Sequence, residues 1–139
     1  MISKTGSAVW SGNLREGGGT VSTQSGTLSD VGYSFAKRFG DEHGTNPEEL
    51  LAAAHAACFT MALSNVLAEH DLEADRLATT ATLTLDPSTL TVTSVVLDLE
   101  ATIPGATDET FQSAANAAKE GCPVSKLFDT DIRLNATLA

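Results

Sequence analysis

The chain has 139 residues, 42% of them apolar, with 8 basic against 18 acidic side chains and a net charge of −10. That length can bury a sizeable core, and the composition is that of one folded domain over 1–139 rather than a disordered segment. So acidic a chain is a poor match for nucleic acid or an anionic membrane surface, and its charge speaks to solubility rather than to a substrate. The opening Met1–Ser7 lacks the apolar run of a secretory leader. The expectation is therefore a reducing cytoplasm, where two cysteines are free or redox-active rather than a structural staple.

The first 36 residues alternate and are turn-rich. Ser7–Trp10 and Thr20–Thr23 read as paired strands, joined across Asn13–Gly19 by a loose glycine-rich turn. Gly17-Gly18-Gly19 is not followed by Lys-Ser/Thr or by a helix, so a turn is favoured over a phosphate cradle. A short strand around Val31–Phe35 leads into Lys37-Arg38-Phe39-Gly40 and a polar loop. A long helix is then predicted over about 47–69, on the order of 35 Å at the standard rise. Asn46 caps it, Pro47 suits its first position, and Glu48 and Glu49 complement its dipole. From Leu50 to Ala68 it carries no formal charge. Acids at both ends and the interrupting His55, Thr60, Ser64 and Asn65 make it a buried helix rather than a membrane span.

Two β-rich runs follow, Leu77–Leu85 and Leu90–Thr102, turning at Asp86-Pro87-Ser88. Thr107 caps a second helix that ends at Gly121, Pro123 starts a short helical piece, and Asp131–Leu138 alternates as a last strand. The order of elements predicts an α+β fold with mostly antiparallel sheet. A helix with no charged face needs cover on both sides. A sheet supplies one and a second subunit the other, so the expectation is an intertwined two-fold dimer with the long helices packed together.

Cys58 and Cys122 are too far apart in sequence for a Cys-x-x-Cys motif or a zinc ribbon. Each is either a small buried hydrophobe or half of a redox pair. Cys122 lies where one helix ends and Pro123 begins the next, and a helix N-terminus lowers a thiol's pKa. His55 is three residues before Cys58 on the same helix face: a packed histidine in the favoured reading, otherwise a base for the thiol or a zinc ligand with both cysteines. Arg38 beside a turn and Glu48 in a first helical turn have ordinary roles of their own, as a solvated charge and a dipole partner.

Asn46-Pro47-Glu48-Glu49-Leu50, Ala54-His55-Ala56-Ala57-Cys58-Phe59 and Gly121-Cys122-Pro123-Val124-Ser125 strongly resemble the OsmC/Ohr family of thiol-dependent peroxidases. His55-Ala56-Ala57-Cys58-Phe59, Gly19–Thr23 and Arg38-Phe39 are more similar to its osmotically inducible branch. The resemblance covers essentially the whole chain. It implies an OsmC-like fold and reduction of organic hydroperoxides, and less well of hydrogen peroxide, without haem or metal. An external dithiol, lipoyl-linked in the family, would be the reductant. By position, Cys58 would be the peroxidatic residue, Cys122 the resolving one and Glu48 the acid that orients an arginine. That arginine would be Arg38, with Arg15 the alternative. Phe59, Met61, Leu51 and Phe39 would form the apolar surroundings of the substrate.

Glu48 and Cys58 are ten residues apart, about 15 Å of rise on one helix. Antiparallel helices crossing near Ala53 would bring Glu48 of one chain beside Cys58 of the other, so the expectation is a site shared between subunits. The competing readings are a zinc-binding or sensory stress protein using His55, Cys58 and Cys122, and a ligand-carrying stress protein whose thiols are incidental.

Overall fold

A computed structural model describes residues 1–139. Their contacts gather into two compact units, Met1–Leu50 and Leu51–Ala139.

The first unit holds an antiparallel sheet in the order β1 (Gly6–Ser11), β2 (Gly18–Thr23), β3 (Val31–Tyr33), followed by the five-residue helix α1 (Phe35–Phe39). The glycine run serves the turn between β1 and β2. A Cβ on Gly17 would collide with the carbonyls of Ser11 and Asn13, and one on Gly19 with the rings of Trp10 and Tyr33. Those rings stand edge to face across the sheet, 5.3 Å apart. The third strand is shorter than the predicted Val31–Phe35. It stops at Tyr33 because the Ser34 hydroxyl accepts from the Lys37 N–H and starts α1 there. No side chain of Met1–Leu50 is fully buried.

Helix α2 (Pro47–Glu69) has the predicted bounds. The Asn46 side chain accepts from the Glu49 N–H at 2.8 Å, and its amide donates to the Lys37 carbonyl at 3.1 Å. The second unit holds a sheet in the order β4 (Arg76–Asp86), β5 (Thr91–Thr102), β6 (Asp131–Leu138), with α3 (Asp108–Gly121) and α4 (Pro123–Leu127) between the last two strands. β4 and β5 form an antiparallel hairpin, whereas β6 runs parallel to β5. A parallel pair needs a long crossover, and α3 with α4 provides it.

The core lies in this unit. His55, Phe59, Leu63 and Leu67 recur every four residues along one stripe of α2. They join Val95, Leu97, Leu99 and Ala101 of β5 and Phe111, Ala114, Ala115 and Ala118 of α3. By length and composition α2 is apolar enough to cross a membrane, yet in the single chain only that stripe is buried. Ala53, Ala54, Ala57, Met61 and Ser64 remain exposed. The helix predicted to be buried all round is thus covered along one face by its own chain.

Candidate active site

In the first unit, the Ser34 cap turns α1 so that Arg38 meets the start of α2. Its Nε donates to Glu48 Oε1 and Oε2 at 2.9 and 3.1 Å, and its Nη2 donates to Oε1 at 2.7 Å. The Arg38 side chain is 38% exposed, so the pair adds little stability. Its effect is geometric: two parallel donors fix the guanidinium plane and leave the Nη1 edge free for another acceptor. Arg38 also lies 5.0 Å over the Phe39 ring. Arg15, the alternative, lies 4.7 Å over the Phe35 ring. Both arginines thus rest on aromatic faces, and the one bonded to Glu48 is Arg38. Beside it opens a cavity of about 280 Å³, lined by Trp10, Leu14, Tyr33, Phe35, Arg38 and Phe39.

In the second unit, α2 carries Cys58 and the α3–α4 junction carries Cys122, and both thiols are free. Cys122 is fully buried. Its N–H closes α3 on the Ala118 carbonyl, and its own carbonyl accepts from the Lys126 N–H of α4. One residue therefore ends one helix and begins the next, as Pro123 requires. The Cys58 thiol is half-buried and lies close to the Cys122 thiol and the Val124 backbone N–H. Desolvation pushes its pKa up, and the nearness of Cys122 and that thiol's charge add to the rise. The Val124 N–H opposes it by favouring the thiolate. All these influences come from the second unit itself.

His55 is completely enclosed, with its ring edge-on to Phe128 at a centroid separation of 5.2 Å. Its Nε2 lies 2.8 Å from the Ser125 hydroxyl, and its Nδ1 has no partner. Burial holds its pKa below the ordinary 6.5. The favoured packed histidine describes its burial but not its bond. The zinc reading needs convergent donors, and no three His, Cys, Asp or Glu side chains gather in a metal-holding arrangement. Because the folded chain resists protonation at His55, stability is complete above about pH 6.5. It falls below that pH, where only the unfolded chain takes up the proton, by at most about 1.4 kcal/mol per pH unit. Urea midpoints at about pH 7.5 and pH 5.5 measure this, and the drop is expected to shrink in His55→Gln.

The four apolar residues predicted around the substrate separate. Phe59 is fully enclosed in the core, which corrects its assignment: it is packing, on the same stripe as His55 and Leu63. Met61, 77% exposed, lines an open groove along α2 with Ala57, Ser64 and Leu77. Leu51 lines a separate cavity with Leu83, Leu90 and Phe128. Phe39 stands beside Arg38. Sequence reasoning missed Trp10, Leu14 and Tyr33, and it quoted Val124 and Ser125 only as motif neighbours of Cys122.

The sequence model of the OsmC-like proteins matches residues 40–137. The chain is 45% identical over 139 residues to peroxiredoxin OsmC of Escherichia coli K12, covering 99% of this chain and 97% of that protein. It is 36% identical over 128 residues to the organic hydroperoxide resistance protein OhrB of Bacillus subtilis, covering 84% and 87%. The solved structure of that B. subtilis protein superposes with a TM-score of 0.64 over 97% of this chain and 98% of that one, at 29% identity. An OsmC-like protein from Vibrio cholerae gives 0.78 over 98% and 99% at 18% identity, a likeness of fold alone. The family model over residues 40–137 and the 45% identity along nearly the whole chain show that the protein, with its cysteine at the middle of a long helix and a second cysteine brought near it, belongs to the OsmC-like family.

Proposed function

We propose that this chain is a cysteine-based peroxidase that reduces organic hydroperoxides, and hydrogen peroxide less well, in the cytoplasm. The observation that carries this reading is the contact between the Cys58 and Cys122 thiols, in a chain so closely related to a peroxiredoxin.

Cys58 is the thiol that attacks, because it is the less buried of the two and receives the Val124 N–H, which favours its anion. The thiolate sulfur bonds to the outer peroxide oxygen as the O–O bond breaks. The alkoxide leaves with the proton the thiol has lost, giving an alcohol and the Cys58 sulfenic acid. The Cys122 thiol then displaces the sulfenic oxygen as water and forms the Cys58–Cys122 disulfide. An external dithiol, lipoyl-linked or otherwise, attacks that disulfide and leaves as its own disulfide, restoring both thiols. No step requires a metal.

The raised pKa of Cys58 means the chain must bring positive charge to it. In this reading the free edge of Arg38, held by Glu48, supplies that charge and orients the peroxide oxygens. Glu48 and Cys58 are ten residues apart on the helix, so the arginine comes from the partner in a homodimer. The uncharged face of Ala53, Ala54, Ala57 and Met61 on α2 is the surface that second copy covers. The aromatic cavity beside Arg38 receives the organic group of the substrate, with Met61 and Leu51 on the approach.

One equivalent of an organic hydroperoxide added to reduced protein tests the cycle. Both thiols are expected to vanish with a loss of about 2 Da in intact mass and no bound oxygen. Two thiols surviving unchanged would mean that they are structural.

A further inference from the structure

The peroxidase cycle leaves one buried titratable group without a role, and its surroundings supply one. Helix α4 has five residues, none of them buried, and is too short to hold itself in place. Yet it carries both groups that act on Cys58: Cys122 at its N-terminal boundary and the Val124 N–H. His55 is one turn before Cys58 on α2 and touches α4 twice. Its Nε2 bonds to Ser125 in the middle of α4, and its ring meets Phe128 at the helix's end.

The neutral ring also leaves Nδ1 buried and unpaired, which costs on the order of 1–3 kcal/mol. A leucine, like Leu63 and Leu67 on the same stripe, would avoid that cost. Packing alone therefore does not account for a histidine at this position. The bond to Ser125 does: it ties α4 to the core by a directional contact that the packing of Val124 and Phe128 does not supply.

We propose that His55 is a positioning residue: by bonding Ser125 and abutting Phe128 it clamps α4 onto α2, so that the Cys122 thiol and the Val124 N–H are both held on Cys58. The inference rests on the peroxidase reading for its consequence but not for its geometry. With the clamp intact, the sulfenic acid meets Cys122 before it meets a second hydroperoxide. With the clamp released, the Cys122 thiol and the Val124 N–H both move off Cys58, and its sulfenic acid waits. A second hydroperoxide then transfers another oxygen to that sulfur, leaving an alcohol and a sulfinic acid, which is a dead end.

Ser125→Ala removes one hydroxyl from a half-buried site and is the principal test, with His55→Leu and His55→Gln beside it. The glutamine amide can occupy the place of Nε2 and keep the bond. The first readout uses no peroxide: the rate at which Cys58 of the reduced protein is alkylated, followed against pH at the Cys58 peptide. Releasing α4 removes the burial and the Cys122 thiol that raise the Cys58 pKa along with the Val124 N–H that lowers it, so Ser125→Ala and His55→Leu are expected to shift that profile to lower pH and speed alkylation at neutral pH several-fold, with His55→Gln near wild type. The second is the ratio of disulfide to Cys58 sulfinic acid at graded hydroperoxide, expected to fall several-fold in the first two variants and to recover in His55→Gln. A purely structural role would lower the melting temperature and leave both readouts alone. Wild-type alkylation profiles and disulfide ratios in folded Ser125→Ala overturn the clamp. A wild-type protein that ignores hydroperoxide overturns the peroxidase reading instead. The clamp is then judged by alkylation and by disulfide formation with a diamide-type oxidant.

Discussion

Cys58→Ser is expected to abolish hydroperoxide reduction, lowering kcat/KM by ~10³-fold or more, about 4 kcal/mol of transition-state stabilisation. A serine hydroxyl at neutral pH offers no anion to attack the O–O bond, and the Val124 N–H cannot ionise it. Cys122→Ser is expected to behave differently, and the contrast assigns the roles. Its Cys58 still attacks, so one equivalent of hydroperoxide gives an alcohol and adds about 16 Da to the protein; excess hydroperoxide adds about 32 Da. Turnover stops because no thiol condenses with the sulfenic acid. The reverse pattern, single attack surviving in Cys58→Ser and lost in Cys122→Ser, would exchange the two roles. Rapid-quench alcohol release with intact mass distinguishes these outcomes in one series.

The parts of this arrangement that depend on local chemistry were legible in the sequence. Asn46-Pro47-Glu48-Glu49 placed the start of the long helix correctly, and Gly121-Cys122-Pro123 placed the junction of α3 and α4, because caps and prolines act within a few residues. What failed was the inward face of α2. A helix apolar on nearly every side has no polar face to mark its outer surface, so Phe59 looked as available to substrate as Met61. The structure encloses the first and exposes the second. The partner of His55 was hidden for another reason: Ser125 is seventy positions away, and only the crossover through α3 brings it back. The same crossover makes β6 parallel to β5, which the alternation of Asp131–Leu138 could not reveal, since alternation marks a face and not a direction. Arg38 and Glu48 each had a plain role as a helix-end charge. Their bidentate bond depends on Ser34 ending the strand early and turning Arg38 toward α2, a boundary the sequence reading placed later.

Arg38→Ala is expected to lower kcat/KM by about 10²- to 10³-fold, the usual cost of removing a group aimed at developing negative charge. The loss alone does not say which subunit supplies the arginine, but mixed dimers do. Suppose Cys58→Ser chains and Arg38→Ala chains, each nearly inactive alone, are unfolded together and refolded at equal concentration. If each site takes Cys58 from one subunit and Arg38 from the other, every mixed dimer has one complete site. It unites the Cys58 of the second chain with the Arg38 of the first. Half of the dimers are mixed, so activity should return to about a quarter of the wild-type value per chain. If both residues come from one subunit, no combination is complete and mixing restores nothing. Glu48 sharpens the test, because its bond to Arg38 lies within one chain. Glu48→Gln should therefore pair with Cys58→Ser as Arg38→Ala does, and should fail to complement Arg38→Ala. Sedimentation on the same samples confirms that dimers have exchanged. Recovery with that pattern requires the exposed face of α2 to be a subunit interface, because a monomer has no second chain from which to draw the charge that Cys58 needs.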